Sequence, residues 1–259
     1  MSRIIATISL KGGSGKTSLV QNVGYELSQM GQRCLLLDLD QQANLTIGFG
    51  IDPAQGRPPI YQAMEAPTQA FDLVQPIGDN LDILTANLEL AEAEIRYATA
   101  VDRNFKVKAI IEAVQGHYEY IWIDCPPGLD FATVNALTAA TEAIIPLQCH
   151  FYAYRMIDPV LAIIEKAKSI NPVLKLSYIV PTMYDGRNSL ATGVVDAARE
   201  RFGDLVTQTM IPINVRIADA PMYGLPVAKH APRSKGTLAY QELAKEIHND
   251  GNETPADKR

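Results

Sequence analysis

The sequence predicts an α/β fold, a mostly parallel twisted sheet with helices on both faces. Short apolar, β-branched runs alternate with stretches of helical spacing along nearly the whole chain. Several of those runs are apolar at every position, as strands covered on both faces are. The runs at 3–10, 34–37 and 120–123 lead into glycine-rich or acidic turns, where such sheets place their ligand sites. Right-handed crossovers follow. No linker divides the sequence, so residues 1–249 are expected to form one domain and the polar residues 250–259 a frayed tail.

Taken in order, residues 3–10 form a buried strand. Lys11-Gly12-Gly13-Ser14-Gly15-Lys16-Thr17-Ser18 follows, then a helix to about residue 30 with Gly31 as its stop. Strand, glycine turn and helix together are the context of a phosphate-binding loop. Gly12, Gly13 and Gly15 let backbone N–H groups approach an anion, and the helix N-terminus adds donors and partial positive charge. Lys16 supplies a point charge for the β- and γ-phosphates, and Thr17 a hydroxyl for Mg²⁺. Leu10 stands where the strict G-x-x-x-x-G-K-[ST] pattern has its first glycine, and a second lysine, Lys11, follows it.

Lys-Gly-Gly-x-Gly-Lys-Thr resembles the deviant Walker A box of the ParA/MinD family of partitioning and positioning ATPases, a branch of the P-loop NTPases. The resemblance implies that Lys11 reaches across a dimer interface to the partner's nucleotide.

The second strand, 34–37, leads into Asp38-Leu39-Asp40-Gln41-Gln42. Two carboxylates at a buried strand end are costly unless solvated, paired or near a cation. They suit either a solvated turn or a magnesium–nucleotide, with Asp40 orienting the attacking water and Asp38 supporting the metal's water shell. The segment resembles the family's Asp-x-Asp-Pro-Gln motif, with Gln41 in place of proline and so a less pre-shaped loop.

Residues 44–60 read as a loop, 60–75 as a short helix and 81–84 as a strand. Two helical pieces span 88–115, with Leu88, Ala91 and Ile95 and then Val107, Ile110, Ile111 and Val114 on their apolar faces. The next strand ends in Asp124, before Cys125-Pro126-Pro127-Gly128. Any buried strand can end in an acid. Downstream of a phosphate loop it reads as the Walker B carboxylate, acting on Mg²⁺ through water or Thr17, and it resembles the family's Asp-x-Pro-Pro segment. A helix over 133–143, a strand to 148, a helix over 152–168 and a strand over 176–180 follow. Then come a polar loop to Asn188, a helix over 190–202 and a last strand over 207–213.

Residues 214–240 read as a long proline- and glycine-bearing connection, and long ordered loops tend to be functional. It carries Arg216, Lys229, Arg233 and Lys235 against one acid, Asp219. Charge alone fits a solvated loop equally well. Its Asn-Val-Arg-x-x-x-Ala-Pro and Pro-Arg-Ser-Lys-Gly segments resemble ParA-type proteins. That resemblance implies non-specific DNA contact, first through Arg187 and Arg216, then through Lys229, Arg233 and Lys235. It also implies adenine contacts near Pro212 and Asn214.

Composition bounds the rest. The chain has 259 residues, 47% of them hydrophobic, with a formal charge of −6 and a pI near 5.3. It is not coated in positive charge, which leaves room for a local basic patch. Cys34, Cys125 and Cys149 lie far apart without C-x-x-C and read as buried thiols of a reducing compartment. The four histidines form no ligand spacing, so a metal held by side chains alone is not expected. With no signal peptide and no apolar run approaching about 18 residues, a cytoplasmic protein is expected.

The resemblance implies an ATP- and Mg²⁺-dependent homodimer that binds nucleoid DNA non-specifically, with hydrolysis stimulated by a ParB-like or cargo-adaptor protein. The strand begins at residue 3, so no N-terminal helix-turn-helix and no operator-specific repression are expected. A MinD-like membrane positioner would need a basic amphipathic C-terminal helix. Residues 237–248 look instead like a core-packing helix, so no stable membrane association is expected. A metabolic enzyme on the same scaffold, an iron–sulfur reductase using Cys125 and Cys149 or a small-molecule ligase, is the third reading.

Overall fold

The computed structural model describes residues 2–55 and 60–252. In chain order, β1 (Arg3–Thr7), α1 (Lys16–Gln29) and β2 (Cys34–Asp38) are followed by α2 (Asn44–Gly48), α3 (Ile60–Glu65) and α4 (Ala70–Leu73). Next come β3 (Gln75–Gly78), β4 (Leu81–Leu84), α5 (Leu90–Arg96), α6 (Lys106–Val114), β5 (Tyr120–Asp124) and α7 (Phe131–Ala139). The chain continues with β6 (Glu142–Gln148), α8 (Phe151–Arg155), α9 (Ile157–Lys168), β7 (Lys175–Thr182) and α10 (Ser189–Phe202). It closes with α11 (Val215–Asp219), α12 (Val227–His230) and α13 (Lys235–Asn252).

The sheet order is β3-β4-β2-β5-β1-β6-β7. Every neighbouring pair is parallel except β3, which runs antiparallel to β4 at the edge. Strand alternation divides the core in two. Leu35, Leu37, Ile4, Ala6, Ile121 and Ile123 face α5, α6, α7, α9 and α10. Leu36, Ile5, Trp122 and Ile144 face α1 and α13. Gly24 lets α1 lie close on this second face, because a Cβ there would stand 2.6 Å from Leu36 Cδ2. The apolar face of α13, Tyr240, Leu243, Ala244 and Ile247, is spent in the same core.

Parallel register carries the acidic strand ends to one place. Thr7 pairs with Asp124, and Asp124 with Asp38, so these side chains stand in a row where β1, β5 and β2 end. The winding order of the crossovers reverses around β1, whose neighbours are β5 and β6. Ligands of open α/β sheets bind at such a point.

Several expectations need correction. Residues 207–213 are not a continuous strand; along the β7 edge there are isolated bridges at Ile179–Val206 and Tyr184–Pro212, with the Thr207 and Ile211 N–H groups donating to the Ile179 and Pro181 carbonyls at 3.1 and 2.9 Å. The Glu246 carboxylate accepts the Gln208 and Thr209 N–H groups at 2.6 and 2.9 Å, and the Thr207 hydroxyl donates to the Thr209 carbonyl at 2.8 Å. Those bonds occupy two backbone donors and one backbone acceptor in the middle of the segment, where a continuous ladder would need them. Residues 44–48 of the expected loop form α2, and positions 56–59 lie outside the described residues. The connection 214–240 contains α11, α12 and the start of α13. The helix expected over 152–168 breaks at Met156. Leu88 and Ile95 are exposed rather than core, because in seven-residue α5 only Leu90 and Ala93 face inward. Edge strand β3 was not foreseen; Pro76 within it is tolerated at an edge. Finally, α13 runs to Asn252, so the tail expected from 250 starts later; residues 253–259 lie outside the described residues.

One buried acid makes a stability prediction. Glu26 of α1 is 7% exposed against α13, and its Oε1 has no hydrogen-bond partner among the described residues. Burial pushes its carboxyl up to about 7, against the opposing pull of Gln241 and Lys245. An acid raised on folding adds stability below its unfolded value, near pH 4.5, and loses it as pH rises through 7. Glu26→Gln should therefore match the parent at pH 5 and be more stable at pH 8, by about 2 kcal/mol. Denaturant melts at both pH values check it; an equal gain at pH 5 would show that the titration is not the cause.

Candidate nucleotide site

The glycine turn between β1 and α1 has the backbone that only glycine adopts readily. Gly13 and Gly15 take φ of 73° and 96°, and Gly15 is the N-cap of α1. A Cβ on Gly12 or Gly13 would meet nothing within 4 Å, so the face of the loop is open. Lys11, Gly12 and Gly13 are exposed, whereas Ser14 and Lys16 are buried. Lys11 makes no ion pair among the described residues; its N–H reaches Ser9 Oγ at 3.3 Å.

Behind the loop stand the three aspartates. Asp124 is wholly buried, and among the described residues neither carboxylate oxygen has a hydrogen-bond partner of good geometry. Burial and the nearby Asp38 push it well above the usual carboxylate range, with Asp40 adding to them; the Thr17 hydroxyl and Lys16 ammonium pull the other way. Asp38 is raised by burial too, although its own chain holds it. Its Oδ2 accepts from the Thr46 N–H and hydroxyl at 2.9 and 2.8 Å, and its Oδ1 from the Asp40 N–H at 3.2 Å. Asp40 is 8% exposed, and its Oδ1 accepts from the Gln42 N–H at 2.9 Å. Together with Ala43 at φ 53°, that bond shapes the loop that a proline at Gln41 would have stiffened.

This donor set fits magnesium and phosphate. A buried, unpaired carboxylate beside a threonine hydroxyl offers the oxygen ligands that hard cation takes, directly or through water. The open glycine turn at a helix N-terminus offers N–H donors to an anion.

Beside the loop lies a cavity of about 630 Å³, lined by Gly15, Ser18, Pro212, Asn214 and Tyr240 among others. The expected adenine-side residues and the phosphate loop thus share one cavity. Its remaining wall was not foreseen: Gln148 and Cys149 end β6, and Thr182, Met183 and Asp185 follow from β7. Met183 adopts φ 51°, which nothing in the sequence signals. Cys125 is fully buried and its thiol is pushed well up by burial and Asp124, the environment of an inert thiol.

The sequence family described as an AAA domain (AAA_31) matches residues 2–176. Soj, the sporulation initiation inhibitor protein of Bacillus subtilis, is 38% identical over 253 residues, 97% of this chain and 100% of Soj. The chromosome partitioning protein ParA of Caulobacter vibrioides is 38% identical over 95% of this chain and 93% of its own. This chain belongs to the ParA/MinD family of ATPases. A solved relative of this ParA/MinD-type protein is cobyrinic acid a,c-diamide synthase from Mycobacterium smegmatis with bound ATP analog and magnesium. It is 30% identical with a TM-score of 0.87, covering 97% of this chain and 96% of that one.

On this ParA/MinD-type ATPase the five expected DNA-contact residues are not equivalent. Arg187 is bound to Asp185 through Nε and Nη2, at 3.0 and 2.9 Å. Arg216 is held only loosely, 3.7 Å from Asp219. The Lys229 ammonium sits 5.5 Å from the centre of the Tyr25 ring. Arg233 and Lys235 are exposed and make no ion pair among the described residues. Arg216 and Arg233 line one shallow groove, and Gly236, next to Lys235, packs on Ile217 and Asn214. The fold thus gathers Arg216, Arg233 and Lys235, while Arg187 stands on the β7–α10 loop with its charge partly neutralised. The Asn214 side chain caps α11 by accepting from the Arg216 N–H at 2.8 Å, so a residue lining the cavity is bonded to one lining the groove.

Proposed function

We propose that this chain is a ParA-type ATPase that dimerises on ATP, holds nucleoid DNA without sequence preference and positions a cargo when a partner stimulates hydrolysis. The observation that carries the reading is the orphaned Asp124 carboxylate, aligned with Asp38 and facing Thr17 and Lys16, beside a glycine turn preceded by an exposed lysine. Magnesium–ATP, when bound, supplies the γ-phosphate and the cationic charge that the carboxylates need. Gly12, Gly13, Ser14, Gly15, Lys16, Thr17 and Ser18 hold the phosphates, with Pro212 and Asn214 on the base side. Thr17, Asp124 and Asp38 serve the metal and its waters, and Asp40 orients the attacking water. Lys11, unpaired on the surface, completes the partner's pocket in the dimer. Localisation is cytoplasmic, on the nucleoid in the ATP state. The cargo is a plasmid, a chromosome region or a protein organelle, delivered by a ParB-like or adaptor protein.

Few phosphate contacts per protomer give weak, salt-sensitive DNA affinity, and two joined patches add through effective concentration. The protein with ATP and Mg²⁺ should therefore retard non-specific duplex DNA, and ADP should abolish the shift. Arg216→Ala should cost about fivefold and lower the salt slope by about one per protomer without changing dimerisation. Equal retardation with ADP contradicts the switch, and loss of the dimer makes Arg216 structural.

Two other readings fit less well. The apolar face of α13 is already packed in the core, which disfavours its use as a MinD-like amphipathic membrane helix. A ligase is suggested by the Mycobacterium smegmatis relative, but Soj and ParA share more identity with this chain.

A further inference from the structure

The phosphate loop has little to hold it. Residues 11–13 face solvent, two of its glycines occupy left-handed conformations, and glycine loses more freedom on ordering than any other residue. Its one buried member before α1 is Ser14, at 5% exposure. The Ser14 carbonyl accepts a hydrogen bond of 2.9 Å from the hydroxyl of Thr182, 168 residues away at the end of β7. Thr182 is 3% exposed, and its carbonyl accepts from the Cys149 N–H at 3.1 Å, so it is itself fixed to β6. Its methyl group also lies 3.7 Å from where a Cβ on Gly15 would stand, ordinary packing distance.

We propose that Thr182 is a positioning residue for the phosphate loop. A trans peptide is planar, and its C=O and N–H point in opposite directions. Fixing the Ser14 carbonyl against β7 therefore turns the Gly15 N–H away from β7. Thr182 presets that donor before any anion arrives, and it does so from the wall of the base-side cavity. Preorganisation of this kind changes affinity more than chemistry, because the ordering cost is met before binding. The inference rests on the reading that the loop and cavity take ATP.

The test uses the full chain with fluorescent ATP and ADP analogues in Mg²⁺, phosphate release at saturating ATP, and a melting curve for each variant. Thr182→Val keeps the shape and removes the donor, leaving a buried carbonyl unpaired. It should weaken ATP and ADP about tenfold, with the loss falling on KM rather than kcat. Thr182→Ser retains the hydroxyl and should recover most of the affinity. Thr182→Ala gives the same comparison if the valine variant melts early. If the parent protein binds neither nucleotide, the ATPase reading itself fails. If the parent binds and the valine variant binds equally well, Thr182 has no positioning role. Full affinity in the valine variant with a loss in the serine variant would assign the effect to packing of the methyl group and overturn the proposal, as would equal loss in both variants or a loss confined to kcat.

Discussion

Lys16→Ala is expected to abolish ATP binding, weakening it on the order of a hundredfold or more. Lys16 opens α1 directly after the Gly15 cap, with its side chain drawn inward to 6% exposure. Its ammonium offsets Asp124, and in the proposed cradle it meets phosphate oxygens. Charge-assisted contacts of this kind are worth about 1.5–3 kcal/mol each, so losing one or two accounts for the stated factor. A second consequence follows from the crowded carboxylates. Without the lysine, Asp124 loses one of the two groups pulling it toward the charged form, while Asp38 and Asp40 remain beside it. Asp124 is then held further toward its neutral form, which makes it a poorer partner for a magnesium ion. Titration with a fluorescent ATP analogue measures the effect, with circular dichroism as the control for folding. Affinity within tenfold of the parent would remove Lys16 from the phosphate cradle.

What could be read from the sequence depended on whether a function lies in consecutive residues. The phosphate loop does: residue types, spacing and the flanking strand and helix all sit in one stretch, and the left-handed Gly13 and Gly15 follow from it. Asp38 and Asp124 were each ambiguous alone. Only the register of β2 on β5 turns two strand ends into one site. The cavity beside the phosphate loop was half legible. Pro212 and Asn214 came from a resemblance, but Thr182, Met183 and Gln148 reach the cavity through pairing of β6 with β7, which no local pattern encodes. The misread strand over 207–213 shows the same limit. Its composition suits a strand, yet Glu246 from the far end of the chain takes the N–H groups that a ladder would need. Likewise, Arg187 and Arg216 look alike in sequence, and only the fold shows one clamped by Asp185 and the other nearly free.

Asp40→Ala should separate binding from turnover. Asp40 lies on the loop after β2, outside the glycine turn, so the phosphate contacts survive its loss. Removing its charge also relieves Asp38 and Asp124, both of which it pushes upward, so ATP affinity should hold or improve slightly. Turnover should fall about a hundredfold or more, the usual contribution of a group that orients or deprotonates an attacking water. The alanine variant also removes the bond from the Gln42 N–H, which shapes the loop. Asp40→Asn separates the two effects, because an amide oxygen still accepts that N–H but cannot serve as a base. If chemistry is the role, both variants bind ATP and neither turns it over. If loop shape is the role, asparagine restores turnover and alanine does not. With turnover blocked, the ATP dimer should persist on DNA, and the ATP-dependent retardation should outlast that of the parent protein after free nucleotide is removed. Phosphate release within threefold of the parent in both variants would move the water-orienting role to another residue.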